Sequence, residues 1–181
     1  MTMASLNELR ELIGAQTFQR AWWPHSSLRS GIPQGAITQV AGAGKTEFVV
    51  RFLAENPQLR AAWVEKEFSI YPCGIIQRHV QLQRILFVEA GTVAQTIWSV
   101  LQILRSQLFQ VVVADVPTPE LKVLRRLQLA SEKAGAALIM LDERLANAWP
   151  IQLQVSAYRE KIFSSAEAKA VKQRMQNDER F

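Results

Sequence analysis

Two glycines, a lysine and a threonine stand together at residues 42–46 and could bind phosphate. Lys45 would contact phosphate oxygens and Thr46 a magnesium ion, as the last two residues of a phosphate-binding loop do. That loop requires the spacing Gly-x-x-x-x-Gly-Lys-Ser/Thr, and Gln39 stands where its first glycine should be. If Gly42 serves instead, three of the four intervening residues are missing. Most of the backbone N–H groups that would surround a β-phosphate are therefore absent.

Acidic residues follow two predicted strands and could complete a nucleotide site. The apolar run 111–114 closes on Asp115, which is typical of a central parallel strand, and the run 61–64 leads into Glu65-Lys-Glu67. Catalysis of phosphoryl transfer depends mainly on positioning, which the shortened loop removes. We therefore predict an eroded nucleotide site with no cofactor, for which weak binding of ATP and magnesium is the alternative. Its candidate residues are Gly42, Gly44, Lys45, Thr46 and Asp115.

The rest of the chain alternates strand and helix patterns. Apolar runs bounded by turn residues predict strands, and apolar residues at helical spacing predict the helices between them. Thr92-Val-Ala-Gln95 is a capping box that begins a long helix, whereas strict alternation over 151–155 predicts a half-exposed edge strand. This order predicts an α/β fold with a doubly wound, mainly parallel sheet flanked by helices. Strands are predicted at 36–41, 61–64, 85–88, 111–115, 136–141 and 151–155, and helices at 45–55, 72–80, from 92, and at 119–135.

Both ends of the chain lie outside this alternation. Ser5-Leu-Asn-Glu8 is a capping box and predicts a short amphipathic N-terminal helix. Residues 21–35 are rich in tryptophan, proline and glycine, which predicts a linker running up to the first core strand. A polar helix and tail are expected from Ser164 onward. We therefore predict an N-terminal helix and linker at 1–34, one core domain at 35–157, and a C-terminal polar helix or tail at 158–181.

The predicted helix 119–135 carries a basic face. With about 100° of rotation per residue, its cations fall on one face, and apolar residues from Leu121 to Ala134 cover the other. A charged outer face is most often only solvated, but this one could also contact DNA phosphates or an acidic protein partner. The candidate contacts are Lys122, Arg125, Arg126 and Lys133.

Composition limits the other classes of function. A chain of 181 residues with 49% hydrophobic content fits one domain with a buried core. Its single cysteine, Cys73, excludes an internal disulfide, and His25 and His79 lack partners at ligand spacing, so we expect no metal site. We find no membrane-spanning run and no secretion signal, so a cytoplasmic location is expected. The net charge of +5 permits attraction to nucleic acid or another acidic partner.

Residues 30–156 resemble the core of the RecA-like ATPases. The resemblance implies that Glu67 is the catalytic carboxylate and that Asp115 holds the hydration shell of magnesium. Glu143 stands where RecA has a glutamine that senses the nucleotide, so this chain departs from the family at the sensor as well as at the phosphate loop. The matching stretches are Gly31-Ile-Pro-Gln-Gly-Ala, Trp63-Val-Glu-Lys-Glu67 with Tyr71-Pro72, and Asp115.

A more specific resemblance is to ImuA, the RecA-like accessory of bacterial error-prone translesion synthesis. It implies a non-catalytic protein of the DNA-damage (SOS) response that bridges RecA or DNA to a polymerase assembly. Its partners would be a translesion polymerase subunit, RecA or both, with DNA as a further partner and the oligomeric state open. The related division inhibitor SulA shares the pattern over 80–141, so cell-division inhibition is an alternative, as is a weakly active DNA-dependent ATPase. The stretches that match ImuA are 31–36, 62–64, 84–88, Trp98 and, most specifically, 125–132.

Overall fold

The computed structural model describes residues 21–146 and 149–158 in full, and the backbone of 162–164. The predicted N-terminal helix and the polar helix expected after Ser164 lie outside these residues. The proposed boundaries of the N-terminal, core and C-terminal regions stay predictions.

Nine strands are present in the described residues, and seven of them form one sheet. The strands are β1 (Trp22–His25), β2 (Leu28–Pro33), β3 (Ile37–Ala41), β4 (Ala61–Glu65), β5 (Ile85–Glu89), β6 (Val111–Asp115), β7 (Ala137–Asp142), β8 (Leu153–Ala157) and β9 (Ile162–Ser164). The order in the sheet is β5-β4-β6-β7-β3-β8-β9. Its first six strands are parallel, and β9 pairs antiparallel with β8.

Helices cover both faces of this sheet. Alternate side chains of β6 enter the two layers, since Val111 and Val113 contact one core cluster while Val112 and Ala114 contact the other. A strand buried on both faces needs a continuous apolar run, which is the pattern that β6 has. The helices are α1 (Lys45–Glu55), α2 (Pro72–Gln77), α3 (Val93–Ser106) and α4 (Leu121–Ala134), with a short 3₁₀ turn at Leu82–Arg84.

The predicted fold class is confirmed: the chain has an α/β fold with a mainly parallel sheet between helical layers. The helix predicted at 45–55 has the bounds that the structure gives α1. The capping box at the start of α3 is also present, because Thr92 Oγ1 accepts a hydrogen bond from Gln95 N at 3.2 Å. The apolar spacing of α1 and the cap of α3 are local signals, and each predicted its helix.

The prediction of a linker at 21–35 was wrong, because this segment forms the antiparallel hairpin of β1 and β2. The hairpin packs on α1, where the His25 ring stacks on Phe48 with centroids 4.1 Å apart. Gly31 has a φ of +80°, and a Cβ at this position would lie 2.1 Å from Trp23 O. The glycine that suggested a linker is therefore required by the tight pairing of the two strands.

The predicted edge strand at 151–155 was wrong in its bounds and its place. β8 extends over 153–157 and has neighbours on both sides, β3 and β9. The three residues of β9 are too few to give a strand signal in the sequence.

The helix predicted at 119–135 begins later than predicted, and it buries a partly different set of side chains on its inner face. α4 starts at Leu121, which was assigned to the apolar inner face but is 57% exposed. Gln128 and Ser131 are buried on the inner face instead. The burial of Gln128 is compensated by hydrogen bonds to the start of β3, which helical periodicity cannot reveal.

Candidate functional site

Parallel strands deliver their last residues to one edge of the sheet. In the sheet register, Ala41 at the end of β3 lies opposite Asp142 of β7, and Glu65 at the end of β4 lies opposite Asp115 of β6. The glycine turn at 42–44 and the start of α1 follow β3 directly. The acidic residues predicted at this edge are therefore brought close to the turn that carries Lys45.

The ammonium group of Lys45 is held between two carboxylates. Lys45 Nζ lies 2.8 Å from Glu143 Oε1 and 3.4 Å from Asp115 Oδ1. The Lys45 side chain is only 17% exposed, whereas that of Glu143 is 85% exposed. The charge that would face a phosphate is compensated by two side chains of the chain itself.

Burial and neighbouring charges both shift the pKa values of Lys45 and Asp115. Burial alone would lower the pKa of Lys45, but the hydrogen bond that Lys45 donates to Glu143 and the charge of Asp115 together raise that pKa above its ordinary value. Burial also raises the pKa of Asp115, helped by repulsion from Glu65 and Glu143 and opposed by Lys45. Burial, together with repulsion from Glu65 and Glu143, therefore leaves Asp115 easier to protonate than an exposed aspartate.

The glycine turn is covered by the end of β8. Gly44 donates its backbone N–H to Ala157 O at 2.9 Å. Gly42 has a φ of +106°, and a Cβ at this position would lie 2.4 Å from the same oxygen. A Cβ at Gly44 would lie 3.1 Å from the Ala157 carbonyl carbon. The two glycines are thus required by the close approach of β8, and one N–H of the turn is already bonded within the chain.

Gln39 joins two loops and strand β8 at this edge. Its Nε2 donates to Thr118 Oγ1 at 2.7 Å and to Arg144 O at 3.2 Å, and its Oε1 accepts from Ala146 N and Gln154 Nε2, both at 2.9 Å. These partners belong to the segments that follow β6 and β7 and to β8. The residue that stands where a phosphate loop would have its first glycine is therefore a fully bonded structural glutamine.

Asp142 fixes the loop after β6 to the end of β7. Its Oδ2 accepts from Thr118 N at 2.8 Å and from Thr118 Oγ1 at 2.6 Å, and its Oδ1 accepts from Glu143 N at 2.7 Å. Burial alone would raise the pKa of Asp142, but these hydrogen bonds hold it below the ordinary range. Asp142 is therefore an ionised anchor beside Glu143.

The structure places Glu65, rather than Glu67, inside the cluster. Glu65 is 3% exposed, accepts from the Trp63 indole N–H at 2.8 Å and from Ser69 N at 2.6 Å, and lies opposite Asp115. Glu67 is exposed and pairs with its neighbour Lys66 at 2.9 Å. The role proposed for Glu67 stays a prediction. Glu65 was missed, although an acid that ends a wholly buried strand is a recognisable signal.

Comparison with known proteins identifies sequence relatives and structural neighbours. Over 125 residues the chain is 29% identical to Protein ImuA from two strains of Caulobacter vibrioides, a match that covers 63% of this chain and 51% of ImuA. The chain spans about half the length of these curated relatives. The crystal structure of the RadB recombinase superposes with a TM-score of 0.56 and 18% identity, covering 74% of this chain and 80% of RadB. The chain has a RecA-like core. Its sequence is similar to ImuA, and no family model matches it.

The glycine turn of this RecA-like core, with its present hydrogen bonds, does not fit a nucleoside triphosphate. A phosphate loop offers free backbone N–H groups and an open approach to the lysine. Here Gly44 N–H is bonded to Ala157 O, the path to the turn is narrowed by Ala157, and Lys45 is bonded to Glu143. Thr46 is exposed at the start of α1 and is not drawn into the cluster. We therefore derive no chemical step through a bound nucleotide.

The basic residues predicted on α4 of the RecA-like core do not form a single surface. Arg125 stacks its guanidinium over the Trp149 ring at 4.9 Å. Arg126 and Lys133 line a groove between α3 and α4, and Lys122 is exposed outside that groove. Whether any of the four contacts a partner or DNA stays a prediction.

The stretch 125–132 has a structural function in this core. Gln128 Oε1 accepts from Ile37 N and its Nε2 donates to Gly35 O, both at 3.2 Å. These bonds join α4 to the start of β3, the strand that leads into the glycine turn. This stretch of α4 therefore contributes to the fold as well as to the surface of the protein.

Neither a metal-binding cluster nor a membrane-spanning helix is present in the described parts of the chain. Among those residues, no group of three or more histidine, cysteine, aspartate or glutamate side chains is arranged to hold a metal ion. No helix within 21–146 or 149–158 is long and apolar enough to cross a membrane.

Proposed function

We propose that this chain is a non-catalytic RecA-like accessory protein of the DNA-damage response. It supports error-prone translesion synthesis by bridging RecA or DNA to a polymerase assembly. The similarity to ImuA supports the assignment to the damage response. The bridging role is inferred for this chain alone, which spans about half the length of ImuA.

The observation that carries the non-catalytic part is the bond between Gly44 and Ala157. Phosphoryl transfer depends on backbone groups that hold the phosphates in place before reaction. In this chain the Gly44 N–H is bonded to Ala157 O at 2.9 Å, and Lys45 is bonded to Glu143 at 2.8 Å. Binding of a nucleotide would have to break both contacts, so the RecA-like core serves as a rigid support for surface contacts.

A weakly active DNA-dependent ATPase is the second candidate, and the position of Lys45 favours it. Lys45 lies 3.4 Å from Asp115, and Asp115 lies opposite the buried Glu65 in the sheet register. A lysine and two carboxylates at one sheet edge are residue types that magnesium-dependent hydrolysis uses. This candidate requires β8 to move away from the glycine turn when nucleotide binds.

Calorimetric titration of the full chain with ATP and magnesium separates the two candidates. We expect no saturable binding in the micromolar range and no release of phosphate, with or without single-stranded DNA. Micromolar binding that disappears in Lys45→Ala would overturn the pseudo-ATPase assignment. Turnover that disappears in Asp115→Ala or Glu67→Ala would establish the ATPase instead.

Affinity purification of the tagged chain from DNA-damaged cells of its own source tests the bridging role. We expect a translesion polymerase subunit or RecA to be recovered and to survive nuclease treatment. If nuclease treatment removes these proteins from the purified sample, the chain is joined to them only through DNA. Recovery of the tubulin-like division protein alone would contradict the proposal and favour a SulA-like inhibitor.

A further inference from the structure

A groove of about 390 Å³ runs between the C-terminal halves of α3 and α4. Its floor is apolar, formed by residues such as Leu101, Leu104 and Ala130. Leu129 forms one wall and is 52% exposed. An exposed leucine beside an apolar floor is the kind of surface that binds another protein segment.

Cations surround this apolar floor. Arg105 of α3 and Arg126 and Lys133 of α4 line the groove, and all three are exposed. Among the described residues, none of their side chains has an ion-pair partner, and no residue that lines the groove is acidic. Three uncompensated cations around an apolar floor are complementary to a segment that is apolar in the middle and acidic at its edges.

The shape of the groove favours a helix as its occupant. α3 and α4 have 14 residues each, so each is about 21 Å long. A third helix can lay an apolar ridge between two such helices, with leucines at positions i, i+3, i+4 and i+7. Trp98, three residues before Leu101 on α3 and 62% exposed, extends the same face of the helix.

A nucleic acid fits this groove less well. Proteins that bind single strands stack bases on aromatic side chains, and none of the residues lining the groove is aromatic. Phosphate contacts need cations but gain nothing from a floor of leucine and alanine. The apolar floor therefore favours a peptide over a nucleic acid.

We propose that the groove between α3 and α4 binds an acidic amphipathic helix of a partner protein. This inference deepens the proposed function, because it names the surface and the chemistry by which the RecA-like core would hold a protein partner. Leu101, Leu104 and Leu129 receive the apolar ridge of that helix. Arg105, Arg126 and Lys133 pair with carboxylates along its two flanks.

The first test uses a synthetic fluorescein-labelled helix with leucines at i, i+3, i+4 and i+7 and glutamates on both flanks. Fluorescence anisotropy with the full chain should show saturable binding, weakened roughly tenfold when lysines replace the glutamates or asparagines replace the leucines. Arg126→Glu combined with Lys133→Glu should weaken it by about the same factor, and so should Leu129→Asp. Lys122→Glu, on the same helix but outside the groove, is the matched control and should change affinity less than about twofold.

Three outcomes would overturn the groove proposal. The first is equal binding of the glutamate and lysine peptides, and the second is displacement of the glutamate peptide by an equal concentration of mixed-sequence single-stranded DNA. The third comes from a benzoyl-phenylalanine cross-linker at position 129: cross-links to residues 1–20 or to a second copy would mean that the chain itself occupies the groove.

The two proposals fail in distinguishable ways. If the double variant Arg126→Glu/Lys133→Glu still recovers the polymerase subunit or RecA from damaged cells, the bridging role stands and the groove proposal is overturned. If the peptide results hold but affinity purification from damaged cells recovers neither a polymerase subunit nor RecA, the groove proposal is supported and the bridging role fails.

Discussion

Gly44 donates its backbone N–H to the carbonyl oxygen of Ala157 at 2.9 Å, joining the glycine turn to the end of β8. In a phosphate-binding loop, an N–H group at this position faces an anion. Here it bonds to the backbone of the same chain, and Gly42 and Gly44 are the residues that allow Ala157 to come this close. The glycine motif that suggests a phosphate ligand therefore also holds the end of β8 in the sheet.

The first prediction concerns Gly42→Ala, which should lower stability rather than change the affinity for any nucleotide. The new Cβ would lie 2.4 Å from Ala157 O, at a residue whose φ is +106°. We expect a loss of about 1–3 kcal/mol in the free energy of unfolding, measured by urea denaturation.

Gly74→Ala is the control for this substitution. Gly74 lies in α2, and a Cβ there would have no heavy atom within 4 Å. This variant should be more stable than the wild type by about 0.5–1 kcal/mol, because alanine favours the helix. Equal effects at the two glycines would argue against a structural function for the bond to Ala157.

The second prediction compares Asp115→Asn with Asp142→Asn at different pH values. Burial raises the pKa of Asp115 above 3.8, so the folded state binds a proton before the unfolded state does, and ionised Asp115 costs stability at neutral pH. Asp115→Asn should therefore melt at a higher temperature than the wild type at pH 7. The difference should shrink as the pH falls toward 3.8.

Asp142→Asn should behave in the opposite way. The pKa of Asp142 lies below 3.8 in the folded state because Thr118 and the Glu143 N–H hold the ionised form, despite its burial. Its contribution is therefore present above pH 3.8 and is lost as the pH falls through the folded pKa. We expect Asp142→Asn to lose about 1–3 kcal/mol at pH 7. Thermal melts that shift in the same direction for both variants would contradict this account.

The third prediction concerns His25, whose ring is buried in the hairpin against α1. Burial is the main reason that its pKa falls below 6.5, and the geometry fits a neutral ring: Nδ1 accepts from Ser27 N at 3.0 Å and Nε2 donates to Phe48 O at 3.2 Å. The stability that depends on neutral His25 is complete above pH 6.5 and is lost as the pH falls through the folded pKa. His25→Phe should therefore flatten the decline in unfolding free energy below pH 6.5.

His79→Asn provides the matched control for His25→Phe. His79 is exposed and has a φ of 61°, a conformation that asparagine tolerates. This variant should keep the wild-type pH profile in urea denaturation. A flattened profile in His79→Asn but not in His25→Phe would refute the assignment.

The fourth prediction concerns Arg84, at the end of the 3₁₀ turn before β5. Its guanidinium donates to Leu59 O at 2.7 Å, to Asn56 O at 3.0 Å and to Leu53 O, so it satisfies carbonyl groups at the end of α1 and just beyond. Arg84→Ala should cost about 2–3 kcal/mol in unfolding free energy, and Arg84→Lys should restore only part of it because lysine lacks the planar fork. The exposed Arg29→Ala, as the control, should cost less than about 0.5 kcal/mol.

Sequence reasoning was successful where a local pattern determines local structure. The continuous apolar run of β6, the helical spacing of α1 and the capping box of α3 each predicted their elements. It failed where the partner is distant in sequence. The hairpin of β1 and β2 depends on contacts with α1, and the place of β8 depends on three residues of β9.

The candidate site was predicted in part for the same reason. Lys45 and Asp115 were predicted and lie 3.4 Å apart. The second partner of Lys45, Glu143, is separated from it by 98 residues, and Gln39 bonds to residues as far away as Gln154. Such contacts depend on the order of strands in the sheet, which the sequence order of the strands does not specify.

The contact between Trp63 and Glu65 allows changes at the candidate site to be followed by tryptophan fluorescence. The protein has five tryptophans, and three of them, at 22, 98 and 149, are at least 40% exposed, whereas Trp63 is 1% exposed. A water-soluble quencher such as iodide will therefore suppress the emission of the surface indoles and leave mainly that of Trp63 and of the half-buried Trp23. Because its indole N–H bonds to Glu65 at 2.8 Å, any ligand or proton that disturbs this carboxylate will change the residual fluorescence without a label.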